Sequence, residues 1–219
     1  MTTSENFEIE QVGDNPLQRN AEWFAARCGC LTGSRVADAL ATLRNGAPAK
    51  ASEDMLVELV TERLTGHCVE HFQSDAMRWG TEQEGAARDA YEAETGNMVD
   101  LVGFVHHPSI EWLGASPDGL VGEDGMVEIK CPTTTTHVRR LMDPEQGVRQ
   151  YKYQMMLQLA CTGRAWCDMV DYDPRMRSER LQLIVTRFVP DPAEMSEFLN
   201  KCRAFLDRVA AKVEELEHV

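Results

Sequence analysis

The most informative stretch of this chain is residues 113–132, LGASPDGLVGEDGMVEIKCP. The turn sequence SPDG, a second turn at Glu123-Asp124-Gly125 and the alternating segment that ends in Glu128-Ile129-Lys130 together predict a β-hairpin. Side chains of a strand alternate between its two faces, so Glu128 and Lys130 should point to one side and Ile129 into an apolar layer on the other. Asp118, at the start of the hairpin, should lie close to the first two.

Two carboxylates beside an ammonium group indicate a site for a hard divalent cation. Mg²⁺ prefers oxygen ligands, is typically held by one or two carboxylates, and keeps positions open for water and phosphate oxygens. Asp118 and Glu128 would supply those carboxylates, while Lys130 would orient or activate a water molecule or offset developing charge. This arrangement suits metal-assisted phosphodiester hydrolysis. An isolated match to the pattern is more often a hairpin with solvated charges, so the rest of the chain decides between the two interpretations.

The charge balance restricts how this chain could bind nucleic acid. It has 22 Lys and Arg against 36 Asp and Glu, a net charge of −14, and a sequence pI of about 4.8. Proteins that hold nucleic acid passively usually present a basic face to the phosphates. A DNA-handling role therefore requires cations concentrated in a channel or at a metal site.

The length, 219 residues, suits one compact α/β domain, and no repeat or linker divides the chain. We expect residues 1–14 to be mobile and a helix over 191–217 to supply a long apolar face. Seven cysteines match neither a zinc nor an iron–sulfur spacing, so we expect reduced, mostly buried thiols and no iron–sulfur cluster. The chain shows no signal pattern and no membrane-spanning apolar run, which favours a cytoplasmic protein.

Several helices are predicted to carry polar side chains toward the hairpin. Asn15-Pro16 should begin a helix over 16–28 that carries Arg27, and Thr32-Gly33-Ser34 should open a second helix, SRVADALAT (34–42). Arg27, Ser34 and the free amides there could bind a phosphate, although ordinary capping explains the same residues. In the helix over 75–95, Glu84 lies on the inward stripe and Arg88 is a candidate partner. Further predicted elements are helices over 52–65 and 147–161 and strands within 98–107, 110–119, 164–173 and 180–189.

The motifs SPDG and EIKCP resemble the PD-(D/E)xK nuclease core, in the form found in the lambda exonuclease and YqaJ-like viral recombinase family. The likeness continues in four further ordered blocks: WFAARCGCLTGSR (23–35), RWGTEQEGAARDAYE (78–92), YKYQ (151–154) and YDPRM (172–176). The resemblance implies an α/β fold with a mixed central β-sheet flanked by helices. The chain departs from the family at Pro108, where the family has an acidic residue. The adjacent His106 and His107 are expected to be structural.

By this resemblance, particular residues acquire roles. Asp118, Glu128 and the backbone carbonyl of Ile129 would bind metal, Lys130 would assist the nucleophilic water, and Glu84, through water, and Gln154 would complete the site. Arg27 and Ser34, with Thr32 beside them, would hold the terminal 5′-phosphate. Arg44 would reach into the duplex. From the sequence itself, His137, Arg139 and Arg140 form a cationic patch that could contact the DNA backbone, or equally a solvated helix start.

The resemblance further implies a Mg²⁺-dependent 5′-to-3′ exodeoxyribonuclease that acts on double-stranded DNA ends and leaves 3′ overhangs. Mn²⁺ would substitute for Mg²⁺, and Ca²⁺ would bind without supporting turnover. The family assembles as a ring-shaped homotrimer and passes its product to a single-strand annealing protein, in a phage or prophage setting. Two alternatives stay open: an endonuclease or repair nuclease with the same core, and a non-catalytic module that binds DNA ends.

Overall fold

A computed structural model describes residues 15–69 and 74–219 of the chain, so the expected mobility of residues 1–14 lies outside the described residues. The helices are α1 (Ala21–Arg27), α2 (Val36–Ala39), α3 (Lys50–Thr65), α4 (Asp75–Thr95), α5 (Thr134–Met142), α6 (Glu145–Thr162) and α7 (Pro192–Glu217). The strands are β1 (Leu31–Thr32), β2 (Val99–Asp100), β3 (Val105–His106), β4 (Leu113–Ala115), β5 (Gly119–Val121), β6 (Gly125–Lys130), β7 (Trp166–Tyr172) and β8 (Leu183–Phe188). A short 3₁₀ turn lies at Glu179–Leu181.

A mixed five-stranded sheet in the order β2-β5-β6-β7-β8 forms the centre of the molecule. Strands β5 and β6 are the predicted hairpin, paired antiparallel with Gly119 opposite Val127. Strand β6 then pairs parallel with β7 along its whole length, a connection made through α5 and α6. A second sheet, β1-β4-β3, lies beside it. The predicted fold class, a mixed sheet flanked by helices, is confirmed.

Alternation along β6 separates two apolar layers. Met126 packs in a large cluster with side chains from α2, α3, α6 and α7, whereas Val127 and Ile129 pack on the other face with Ala87 and Tyr91 of α4. The sheet is therefore covered by helices on both faces. Glu128, one position after Val127, points into the same layer as Met126 and has no exposed surface.

Helix α1 is shorter than predicted. It begins after Asn20, whose side chain accepts a hydrogen bond from Trp23 N at 2.8 Å, rather than at Asn15-Pro16. Arg19 has a φ of 61°, in the left-handed region, which interrupts a helix that would otherwise have started earlier. Asn15 instead accepts from Leu17 N in a local turn.

Helix α2 is also shorter than predicted and spans only four residues, Val36–Ala39. So short a helix has little dipole, and the expectation of an anion site at its N-terminus is wrong in that respect. Thr32 is the last residue of β1, and a turn follows at residues 33 and 34. The hydroxyl groups of Thr32 and Ser34 are the polar side-chain groups at this position.

The region 98–119 contains three short strands where we predicted two long ones. Between β3 and β4 the chain turns sharply, with a φ of 60° at Trp112. The Nδ1 atom of His107 accepts hydrogen bonds from Ser109 N at 3.1 Å and Ile110 N at 3.0 Å. His107 therefore stabilises this turn, in agreement with the structural role predicted for it.

The C-terminal helix α7 agrees with the predicted range. Asp191 caps it by accepting from Glu194 N at 2.9 Å, and its apolar face packs on α3 and α6. The buried side chains of this face are Phe198, Cys202, Phe205, Leu206 and Val209. No helix within the described residues combines the length and apolar character needed to cross a membrane.

Candidate active site

Glu128 is a fully buried carboxylate on the central strand β6. Its Oε1 atom accepts a hydrogen bond from Gln154 Nε2 at 2.5 Å and forms an ion pair with Lys130, while its Oε2 atom accepts from Gln158 Nε2 at 2.6 Å. A buried carboxylate is costly unless it is paired and hydrogen-bonded, and Glu128 is both. Alternation along β6 places Lys130 beside the Glu128 carboxylate, and α6 supplies the two glutamine donors.

Lys130 lies against the same face, with its Nζ atom 4.9 Å from the centre of the Tyr151 ring. Burial alone would lower the pKa of Lys130, but the carboxylates of Glu128 and Asp118 outweigh it and raise the pKa above its ordinary value. The side chain is therefore an ammonium group, which can donate hydrogen bonds to water or phosphate oxygen but cannot accept a proton.

Asp118 precedes β5 and is tied to β6 by a hydrogen bond from Ile129 N to its Oδ2 atom, at 2.6 Å. Burial, then the negative charges of Glu128 and Glu84, raises the pKa of Asp118 well above its ordinary value. Mutual repulsion of carboxylates is what a bound divalent cation relieves, and all of these donors are oxygen atoms. The residues present therefore fit Mg²⁺ or Mn²⁺.

Glu84 reaches this region from α4, the helix packed on the opposite face of the sheet. The hydroxyl group of Tyr91 donates to Asp168 Oδ2 at 2.8 Å and fixes α4 against β7. The partner of Glu84 is Arg19, which forms two hydrogen bonds with it at 2.8 and 3.1 Å. Sequence reasoning named Arg88 and missed Arg19, because Arg19 lies in an irregular turn 65 residues away along the chain.

The carboxylate oxygens of Asp118, Glu128 and Glu84 do not all lie within 4.8 Å of one another. Lys130 neutralises Glu128, and Arg19 holds Glu84 to one side. A Mg²⁺ site needs only one or two carboxylates, with water in the other positions. Asp118 and Glu128 would be enough as protein ligands, and a role for Glu84 through water stays a prediction. The Ile129 carbonyl stays a prediction.

Gln154 and Gln158 lie one turn apart on α6 and share Glu128. The Oε1 atom of Gln158 is buried and has no hydrogen-bond partner among the described residues. A Cβ atom built on Gly33 would lie 3.2 Å from Gln154 Cγ, so the Thr32–Ser34 turn packs directly on α6. The sequence shows that Gln158 lies one helical turn after Gln154, but no feature of the sequence distinguishes Gln158 from an ordinary buried glutamine.

Arg27 lies beside this site and is linked to it through aromatic packing. Its guanidinium group lies 3.9 Å from the centre of the Trp23 ring, and Trp23 Nε1 donates to Ser116 Oγ at 2.8 Å, two residues before Asp118. Burial and the charge of Arg35 lower the pKa of Arg27 to about 10. No carboxylate of residues 15–69 or 74–219 forms an ion pair with it, so an anionic ligand would be favourable here.

The remaining predicted phosphate and DNA ligands differ in exposure. Ser34 is exposed and its hydroxyl lies 3.4 Å from that of the buried Thr32. Arg44, between α2 and α3, and Arg139, on α5, are exposed and available to a ligand.

The prediction that His137 contacts DNA is wrong, because His137 has no exposed surface and its Nε2 atom lies 2.7 Å from Leu181 O. Its neighbour Arg140 is also buried and forms an ion pair with Asp171 of β7. The inward face of α5 is therefore polar, and a hydrophobicity pattern could not identify it.

Comparison with known proteins identifies the fold and a set of relatives. The sequence profile of the YqaJ-like viral recombinase domain matches residues 22–165. The chain is 42% identical to LHK-Exo, solved in complex with dAMP, with a TM-score of 0.83 over 91% of this chain and 97% of that one. A second structure of LHK-Exo, an alkaline exonuclease from Laribacter hongkongensis, gives a TM-score of 0.82 at the same identity and coverage.

A phage related exonuclease from Haemophilus somnus 129PT has a TM-score of 0.69 at 10% identity, over 85% of this chain and 96% of that one. Similarity at this level shows a shared fold alone. No curated protein sequence is significantly similar to this chain.

Proposed function

This chain belongs to the YqaJ-like viral recombinase family, and from that premise we propose that it is a Mg²⁺-dependent 5′-to-3′ exodeoxyribonuclease acting on linear double-stranded DNA. Its similarity to alkaline exonucleases makes it a nuclease of the lambda-exonuclease type. The observation that supports the finer proposal most strongly is the contact of Glu128 with Lys130, Gln154 and Gln158 beside Asp118. LHK-Exo was solved with dAMP, a nucleoside monophosphate, and release of such a product fits stepwise removal of nucleotides.

We assign the side chains as follows. Asp118 and Glu128 would hold Mg²⁺, which supplies Lewis-acid stabilisation of the phosphate and activation of water. Lys130, as a charged donor, would orient the attacking water and stabilise the negative charge that develops on the phosphate oxygens. Gln154 and Gln158 fix the orientation of the Glu128 carboxylate, because each donates to a different oxygen of it.

Recognition of the DNA end would come from the neighbouring α1 region. Arg27, half-buried and with its guanidinium group over the Trp23 ring, would bind the terminal 5′-phosphate together with the exposed Ser34 hydroxyl. Arg44 and Arg139 would contact the duplex farther out. Shortening of the 5′-terminated strand leaves a 3′ overhang, the substrate that a single-strand annealing protein requires in recombination.

A chain with a net charge of −14 repels DNA over most of an open surface, so enclosing the duplex would retain DNA better than surface attraction. We therefore propose a ring-shaped homotrimer with the active sites facing a central channel, working in the cytoplasm of a bacterial host.

The experiment that tests the proposed function is a time course on linear duplex DNA labelled at its 5′ or 3′ end, with Mg²⁺ and with chelator. We expect Mg²⁺-dependent release of label from the 5′ end and a covalently closed circle left intact. Lys130→Ala should lower the rate by a factor of about 10³ while end binding in Ca²⁺ persists. The exposed Lys50→Ala serves as the matched control.

Two outcomes would contradict the proposal. Cutting of the closed circle as fast as the linear duplex would indicate an endonuclease. Binding of ends without any cleavage by the wild-type chain in Mg²⁺ or Mn²⁺ would indicate a non-catalytic module.

A further inference from the structure

Two of the seven cysteines lie close together beside the candidate phosphate site. Cys28 follows α1, and Cys68 lies in the loop after α3; both are half-buried, whereas the other five are buried. Their Sγ atoms lie within 4.8 Å of each other, and each thiol donates to a backbone carbonyl, Cys28 to Glu62 O at 3.9 Å and Cys68 to Phe24 O at 3.3 Å. Two free thiols at this separation are a pair that oxidation can join.

A metal ion is a poor explanation for this cluster, although the carboxylate of Glu62 lies within the same 4.8 Å. Both oxygens of Glu62 are already occupied, because they accept hydrogen bonds from Arg35 at 2.7 and 2.9 Å, from Gly29 N at 2.8 Å and from Val69 N at 3.1 Å. The guanidinium groups of Arg35 and Arg27 also raise the local positive charge, which opposes binding of a cation.

We propose that Cys28 and Cys68 form a reversible disulfide when the protein meets an oxidised low-molecular-weight thiol such as glutathione disulfide. The thiolate of Cys68 attacks one sulfur of the reagent, forms a mixed disulfide and releases one glutathione thiolate. The thiolate of Cys28 then attacks Sγ of Cys68 and releases the second. Two protein thiols are oxidised, one glutathione disulfide is reduced to two glutathione thiols, and the two protons pass to the departing thiolates.

The order of attack follows from the surroundings of the two thiols. Burial, together with the neighbouring Cys68 thiol, raises the pKa of Cys28 to about 12. Cys28 is therefore a weak first nucleophile, and the effect of Cys68 on it disappears once Cys68 carries glutathione. The Sγ atom of Cys68 donates to Phe24 O at 3.3 Å, a contact at the surface.

The backbone around the pair is already held together, so the cross-link needs little rearrangement. Glu62 of α3 accepts from Gly29 N and Val69 N, the residues next to the two cysteines. A bond between Cys28 and Cys68 would join α1, beside Arg27, to the segment that leads to α4 and Glu84. It would close a loop of about 41 residues, for which chain entropy predicts a rise in Tm of roughly 5–15 °C.

The test treats the full chain with glutathione disulfide, blocks free thiols and digests it with trypsin without reduction. We expect the peptide 28–35 linked to the peptide 64–78, a fall from seven free thiols to five, the Tm rise given above, and full reversal by dithiothreitol. The peptide 28–35 also contains Cys30, so Cys30→Ser is the matched control and should keep the cross-link. Cys28→Ser and Cys68→Ser should each abolish it.

Three results would overturn the proposal: glutathione adducts on Cys68 without the cross-link, a link that requires Cys30, or stoichiometric Zn²⁺ binding by the reduced chain that is lost in Cys28→Ser. Each readout is independent of nuclease activity, so failure here would leave the proposed function unaffected.

Discussion

The electrostatics of a few residues determine what this site can do. Glu128 lies on the central strand β6 and Asp118 is held beside it by Ile129 N; their favourable partners are the ammonium group of Lys130 and neutral amide donors. The site therefore holds more negative charge than its protein partners neutralise. Such an arrangement costs stability in the free chain and gains it back when a divalent cation binds.

Asp118→Asn should therefore stabilise the metal-free protein. The raised pKa of Asp118 means that the folded chain keeps this proton to a higher pH than the unfolded chain does. The contribution of Asp118 to stability is full below its unfolded pKa, about 4, and is lost as pH rises through the folded value. In chelator at neutral pH we expect Tm of the variant to exceed that of the wild type by roughly 2–8 °C.

The same variant should lose the rise in Tm that Mg²⁺ gives the wild type. Asp124→Asn, in the exposed turn of the same hairpin, is the control and should change neither value. A lower Tm for Asp118→Asn in chelator would show that the carboxylate stabilises the fold and is not held there for a ligand.

Arg27→Ala should remove the preference for a phosphorylated 5′ end. The guanidinium group lies 3.9 Å from the centre of the Trp23 ring and forms no ion pair with a carboxylate of the described residues, so its loss removes a charged hydrogen bond to the ligand and leaves the fold intact. We expect the ratio of cleavage rates on phosphorylated and hydroxyl ends to fall by a factor of about 10–100. An unchanged ratio, equal to that of the exposed Arg149→Ala, would remove Arg27 from end recognition.

The sequence alone located much of the candidate site at this scale. Asp118, Glu128 and Lys130 could be placed together because strand alternation and a tight turn fix their relative positions, and α6 brings Gln154 to them. Arg19 and Gln158 could not be assigned, since their contacts depend on packing between elements distant in the chain. His137 was assigned wrongly because α5 buries an ion pair where apolar residues are usual.

At the scale of elements, the β5–β6 hairpin carries the site and depends on Gly125 for its packing against β7. A Cβ atom at Gly125 would lie 2.2 Å from Cζ2 of Trp166 on the neighbouring strand β7. Gly122, in the turn, has open space around it but a φ of 53°, where other residues are strained. Substitution of Gly125 therefore tests side-chain packing, and substitution of Gly122 tests backbone conformation.

Gly125→Ala should lower the free energy of unfolding by about 1–3 kcal/mol through overpacking, and Gly122→Ala by about 1 kcal/mol through its backbone. We expect activity to fall with Gly125→Ala, because displacement of β6 from β7 moves Glu128 and Lys130 together. Chemical denaturation at fixed Mg²⁺ measures both values. An unchanged free energy of unfolding for Gly125→Ala would mean that Trp166 adapts and that the hairpin is not fixed by this contact.

Long elements were predictable and short ones were not. The sequence placed α4, α6, α7 and the hairpin because amphipathic periodicity and turn residues agree over many positions. It extended α1 and α2 too far, since the left-handed conformation of Arg19 and the turn at residues 32–34 are set by contacts with Glu84 and α6.

At the scale of the whole molecule, the net charge of −14 must be reconciled with a polyanionic substrate. The cations assigned to DNA, Arg27, Arg44 and Arg139, are few, and most of the exposed surface repels phosphate. Enclosure by a ring would keep DNA bound through geometry, with the cations arranged along the channel.

Sedimentation equilibrium tests this arrangement. We expect a mass near three times 24.6 kDa, about 74 kDa. A mass of one chain at all concentrations would contradict the ring and would require another explanation for DNA retention.

The most direct test of the central claim is a crystal of this chain soaked in Mn²⁺, a substitute for Mg²⁺ that can be identified by its anomalous scattering. We expect an anomalous peak bound by Asp118 and Glu128, with Lys130 beside it, and no such peak in Asp118→Asn. Carboxylates that keep their metal-free contacts, with no peak between them at saturating Mn²⁺, would contradict it.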